Sequence, residues 1–157
     1  VTKLTPPLIA ATLLLLAATA CGTTQPEKGQ PTVPSKSGTG ELRTDLAPLA
    51  KRFPILVGAE KAEWMSGTLG DGRIPGPSTY WIDAIVTLPE ATLTKLDKGT
   101  REDPTAPAVV EGLRDRVPEG PYLTGSSLDA AFTTDTWSAN AYRAKNTNIV
   151  VLLARGQ

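Results

Sequence analysis

Residues 79–88, TYWIDAIVTL, limit what this chain can fold into more than any other stretch. Tyr80, Ile82, Ala84, Val86 and Leu88 fall on one side of an extended chain, and Trp81, Asp83, Ile85 and Thr87 fall on the other. β-Branched and aromatic residues dominate, which suits a pleated, half-buried surface. The stretch predicts a strand. Upstream, residues 55–69, ILVGAEKAEWMSGTL, open with an apolar triplet; Ala62 and Trp64 then alternate with Lys61, Glu63 and Met65. Between the two runs, residues 70–78, GDGRIPGPS, hold three glycines and two prolines and read as a loop. The two runs therefore predict an antiparallel hairpin.

Other segments mix helical and extended patterns. Residues 42–52 place Leu42, Leu46, Leu49 and Ala50 near one helical face, with Pro48 weakening the helix. Thr87-Leu88-Pro89-Glu90 matches a capping box, and the helix it starts turns Leu93 and Leu96 inward and stops near Gly99. A charged connection, residues 100–104, leads to a second expected helix over 105–116. Val109, Val110 and Leu113 form its stripe, and Gly112 costs it about 1 kcal/mol relative to Ala. Residues 118–121, PEGP, make a turn, and Ser127 is expected to cap a short helix over LDAAF. Residues 137–143 alternate loosely, Asn146 to Asn148 turn the chain, and 148–154, NIVVLLA, are nearly all apolar, as in a strand covered on both faces. Extended runs on either side of a helical middle predict an α+β fold: an antiparallel sheet of about four strands with helices mainly on one face.

The first twenty residues have a different character. Lys3 precedes an apolar run from Leu8 to Ala18, followed by small residues and Cys21. A positive start, an apolar core of roughly 7–15 residues and a small-residue cleavage site make up a secretory signal peptide. The run is too short for a membrane span, which needs about 20 residues. Ala18-Thr19-Ala20-Cys21 resembles the lipobox of bacterial lipoproteins. That resemblance implies that the Cys21 thiol carries diacylglycerol, that the chain is cut before it, and that Cys21 leads the mature protein. Two acyl chains hold a protein stably where one is marginal. Residues 22–40 are almost all Gly, Pro, Ser, Thr or charged, and such a composition cannot bury enough apolar surface to order itself. As a flexible tether it spans roughly 25 Å. The expected organisation is a signal peptide over 1–20, the lipidated cysteine and linker over 21–41, and a single globular domain over 42–157.

Composition removes whole classes of function. The 157 residues carry 16 Lys and Arg against 16 Asp and Glu, so no basic excess is available to hold nucleic acid. There is no histidine, which excludes Ser-His-Asp and Cys-His hydrolysis and histidine acid–base catalysis, and strips most zinc sites of their usual ligands. The lipid consumes the single cysteine, leaving no disulfide. No cofactor and no metal site are expected.

Four residues form the candidate ligand site. Asp83 lies mid-strand between Trp81 and Ile85, and Glu63, beside Trp64, falls on the paired strand. Paired carboxylates near aromatic rings suit sugar chemistry, and aromatic platforms with polar neighbours more often bind than react. The alternative is structural: Glu63 and Asp83 on the solvent face of a one-sided sheet, with Trp64 and Trp81 as partial core. The loop at 70–77 lacks the Lys-Ser/Thr ending of a phosphate loop and precedes a strand, not a helix. Asp71 within it has no regular calcium-ligand spacing. Gly125-Ser126-Ser127 reads as a turn and cap, since Lys145 is an arbitrary choice of base for a serine nucleophile.

The run from Trp64 through PGPSTYWIDAIVTLPEA, with PEGPYLTGSSLDAAF downstream, resembles small uncharacterised lipoproteins of high-GC Gram-positive bacteria over most of the mature domain. That group has no assigned activity, so the resemblance implies compartment and general fold and carries over no functional residue. The expectation is a lipid-anchored module at the extracytoplasmic face of the cell membrane. It meets the membrane through Cys21 and binds an envelope protein or glycan without catalysis. A carboxylate-dependent glycan hydrolase and a structural spacer are the alternatives.

Overall fold

The alternation at 79–88 becomes strand β3, Thr79–Thr87, in the computed structural model, which describes residues 36–37, 40–70 and 77–157. β2, Lys61–Leu69, pairs with it antiparallel along its whole length, from Lys61 opposite Thr87 to Leu69 opposite Thr79. On the other side of β3 lies β7, Ile149–Gly156, also antiparallel. β3 is therefore flanked on both sides within the sheet. Two short strands, β4 at Arg101–Asp103 and β5 at Tyr122–Thr124, extend the sheet beyond β6, Trp137–Ala144. At the opposite edge the two-residue strand β1, Lys36–Ser37, pairs with β2. The order is β1-β2-β3-β7-β6-β5-β4, with every neighbour antiparallel.

The fold is thus α+β with an antiparallel sheet, but the sheet is wider than the expected four strands. Six strands have three residues or more, and β1 adds a seventh. The additional strands lie where composition hides them: β4 is charged throughout, and β1 falls within the Ser/Thr/Pro-rich stretch read as tether. Strands of two or three residues are too short to show a period, and short charged edges are a common device against edge pairing between molecules. All the described elements belong to one compact unit that begins at Thr32.

Three helices cover one face: α1 at Ala47–Arg52, α2 at Glu90–Leu96 and α3 at Ser126–Phe132. Their Leu49, Leu93, Leu96, Leu128 and Phe132 join Ile82, Ala84, Val86, Val150 and Leu152 of the sheet in one buried cluster. Pro48 does not break α1. It sits in the first turn, where a missing N–H is unpaired in any case, and residues 42–46 stay outside the helix. The expected caps are not formed. Thr87 belongs to β3 and Pro89 occupies the cap position of α2, while Gly125 holds that of α3, with no side-chain cap bond at either.

The second face is covered by a strap, residues 104–117, rather than by the expected helix at 105–116. Pro107 biases Ala106 towards extended backbone, and the Val110 N–H goes to the Asp83 carboxylate instead of a helical carbonyl. Only a 3-10 turn forms, at Glu111–Arg116. It lays Leu113, with Val109 ahead of it, over Met65, Trp81, Ile85 and Val151. Gly112 lets the strap come close, because a Cβ there would lie 2.7 Å from the Met65 sulfur. The solvent-exposed sheet face expected for Asp83 therefore does not exist.

Candidate functional site

The strap face holds three of the four residues singled out from the sequence. Asp83 is 1% exposed. Its carboxylate accepts hydrogen bonds from Lys36 Nζ, at 2.5 and 2.6 Å to its two oxygens, and from the Val110 N–H at 2.6 Å. Lys36 Nζ also lies 5.2 Å from the centroid of the buried Trp81 ring. Asp83 thereby ties two covering segments to the sheet, one from β1 and one from the strap. Glu63 stands opposite Ile85, on the same face as Asp83 but offset from it, since Asp83 stands opposite Met65. Arg116 Nη1 donates to Glu63 at 2.9 Å, and Lys61 lies at 3.6 Å. Each carboxylate is engaged by its own cation.

Trp64 lies on the helix face, apart from the other three. Its indole N–H donates to the Asp45 carbonyl at 3.0 Å, and the Arg43 guanidinium sits 4.3 Å from its ring centroid. Cys21 and Asp71 lie outside the described residues.

A different residue gathers the surface features of the domain. Trp137 opens β6 and pairs with Gly156 of β7. Gly156 leaves room for the indole, because a Cβ there would lie 2.7 Å from both Trp137 Cε2 and the Thr136 carbonyl. Phe53 meets the Trp137 ring edge-on, with centroids 5.8 Å apart. The indole is thus held from two sides and stays half-buried. It lines three depressions. One of about 820 Å³ runs between α1 and residues 134–136. A second, of about 480 Å³, lies over β2 and β3 beside Trp64 and Tyr80. The third, also about 480 Å³, follows the end of β7 past Arg155. Neither Glu63 nor Asp83 lines any of them.

The charge of this groove is lopsided. The side chains of Arg43, Lys51, Arg52 and Arg155 line it against one acidic side chain, Asp135. Arg43 is held by Asp45 outside the groove, at 2.6 and 3.0 Å, and that hydrogen bond is the main reason the Asp45 carboxyl lies below its ordinary range. Arg52 donates one N–H to the Pro48 carbonyl at 2.9 Å, which fixes the guanidinium at the end of α1 and leaves its other donors uncommitted. Four separate segments supply these residues, so no local motif announces the groove. The one sequence signal is a tryptophan at the start of a strand, followed far downstream by a glycine where its cross-strand partner falls.

A smaller recess of about 240 Å³ is polar, with Arg101, Asp103, Ser126, Asp129 and Tyr142 among its lining. Burial pushes the Tyr142 phenol up, and the charges of Asp129 and Asp103 add to the rise. Asp103 is held below its usual range by hydrogen bonds from Thr105. Ser126 lacks a base here: Lys145 pairs with Glu102 at 2.5 Å. Among the described residues no three metal-ligating side chains converge, and no helix is long and apolar enough to cross a membrane.

No protein-family model, no curated protein and no solved structure matches this chain.

Proposed function

We propose that this chain is a non-catalytic binding module, held at the extracytoplasmic face of the cell membrane by lipid on Cys21, with the groove around Trp137 as its binding surface. The observation that carries the reading is the meeting of three depressions at one half-buried, rigidly held indole. Ligand sites are concave, largely apolar, and furnished with a few oriented polar groups. The groove is concave and sets aromatic rings among cationic and hydroxyl side chains, and the absence of histidine argues against a reactive centre beside it. The glycan-hydrolase alternative gains no support from Glu63 and Asp83. Arg116 and Lys36 occupy them, and neither carboxylate lines one of the three depressions, where a sugar could reach it.

Two measurements on the full chain test this reading. Intact mass from the membrane fraction should show a species that begins at Cys21 and bears two or three acyl chains. Titration of the detergent-solubilised protein with purified cell-envelope fragments should shift tryptophan fluorescence, and Trp137→Phe should remove the shift. A soluble, unacylated product would remove the anchor. A wild-type spectrum unmoved by the fragments would remove the binding surface.

A further inference from the structure

We infer that the Trp137 groove takes an acidic glycan, a chain of sugar rings bearing carboxylates. The inference rests on the binding-module reading and adds the class of ligand to it. The side chains of the whole chain carry no net charge, yet four cationic side chains and one acidic side chain line this groove. Lys51 and Arg155 have side chains without a hydrogen bond or ion pair among the described residues, and Arg52 has guanidinium donors to spare. Such an excess favours an anion, and a guanidinium fork matches a planar carboxylate with two parallel bonds.

The aromatic groups narrow the class further. Trp137 is half-buried and Tyr80 is 45% exposed, so each offers a flat apolar surface with a wet edge. The apolar face of a pyranose ring stacks on such a surface; an inorganic anion or a linear polyphosphate gains nothing from it. Phe53 and Gly156 already fix the Trp137 ring, so little side-chain entropy is lost when a ring settles on it. Three depressions that meet at Trp137 offer more room than one small acid needs and suit a ligand of several sugars. An acidic peptide that added itself as a strand would need a sheet edge, and the edges of the sheet, β1 and β4, do not line the groove.

The test uses two oligosaccharides with one backbone. The acidic probe alternates N-acetylglucosamine with N-acetylmuramic acid, stripped of peptide; the neutral probe is chitotetraose, which lacks the lactyl carboxylate. Calorimetric titration of the solubilised full chain should show the acidic probe binding about tenfold more tightly. That advantage should shrink as salt rises from about 50 to about 500 mM, because the cations are exposed and screened. Arg52→Gln, an exposed change with an unaltered melting temperature, should remove most of the advantage, while Trp137→Leu should weaken both probes. Equal affinity for the two probes would overturn the acidic class and leave the binding module standing. The glycan class would also fall if poly(glycerol phosphate) or polyglutamate bound more tightly than the acidic probe. Binding of neither probe, with the Trp137-dependent shift on envelope fragments intact, would sink the glycan and spare the binding surface. Loss of that shift as well would remove both.

Discussion

The two faces of the sheet are buried by different means. On the helix face, eighteen buried residues form one cluster beneath three α-helices. On the strap face the cluster has six buried residues, four from the sheet and two from a covering segment that holds only one 3-10 turn. The helix face closes mainly by area, since apolar burial stabilises by about 25 cal/mol per Å² wherever it occurs, with one carboxylate contact, Asp129 of α3 accepting from the Ala141 N–H at 2.8 Å. The strap has less area to contribute and is fastened by polar contacts: Asp83 to Lys36 and the Val110 amide, and Glu63 to Arg116. The same strand, β3, serves both faces. Its even-numbered residues are aliphatic where helices cover them, and Asp83 stands among the odd-numbered ones where a polar fastening is required.

The widest gap between the faces should appear on truncating their cores. Phe132→Ala on the helix face should cost about 3–5 kcal/mol, because rigid helices around the cavity cannot collapse into it. Leu113→Ala on the strap should fall near the lower end of such losses, about 2 kcal/mol, because a short turn can settle inwards. Urea unfolding of the solubilised protein, with the two variants side by side, measures the difference. Equal losses would mean that the strap is as rigid as the helices.

The same contrast explains how much of the fold was legible in the sequence. β3 and β7 are central, so their long apolar runs state their role, and the Leu93–Leu96 stripe of α2 reads correctly. The strap misleads because Val109, Val110 and Leu113 have helical spacing, while the Val110 amide is taken by Asp83, 27 residues away. Period-2 alternation shows that Asp83 and Trp81 share a face, but it cannot show what covers that face, and so Asp83 reads as exposed when it is buried. Glu63 and Asp83 were visible as a pair on one face; that separate cations hold them depends on Lys36 and Arg116, 47 and 53 residues away from them. The Trp137 groove was not legible at all, because α1, the hairpin, the 133–136 loop and the end of β7 must first be brought together.

The Asp83 fastening should be the next largest effect. Lys36→Met leaves a buried carboxylate with only the Val110 amide, and the loss should approach the lower end of a broken buried pair, about 3 kcal/mol, since Lys36 is a quarter exposed. Asp83→Asn keeps an acceptor for the Val110 amide and loses the charge, which should cost about 1–3 kcal/mol. The double variant should lose less than the two single losses combined, because the two side chains share one interaction. Strict additivity would mean that Lys36 and Asp83 act independently and that the strap is held by packing alone. Hydrogen exchange at Val110 adds a local readout: in Asp83→Ala that amide should exchange faster while amides of α3 keep their protection.

Alkali should separate the faces with the smallest effect and without any substitution. Tyr122 and Tyr142 both belong to the strap side: Tyr122 donates its hydroxyl to the Pro118 carbonyl at the end of the strap, and the two rings meet edge-on, 6.4 Å apart. Burial raises both phenols above their ordinary value near 10, helped by Glu119 at Tyr122 and by Asp129 and Asp103 at Tyr142. A raised pKa in the folded state means that the unfolded chain gives up these protons first. The stability this contributes is whole below pH 10 and is lost as pH rises through the folded values. Unfolding free energy measured in steps upward from about pH 9 should therefore begin to fall near pH 10. Tyr142→Phe, which removes one titrating group, should flatten the slope, and Phe132→Ala, on the other face, should lower the whole curve and leave its slope unchanged. A slope insensitive to Tyr142→Phe would take the Tyr142 phenol out of the alkaline loss and end its assignment to the strap's polar fastening.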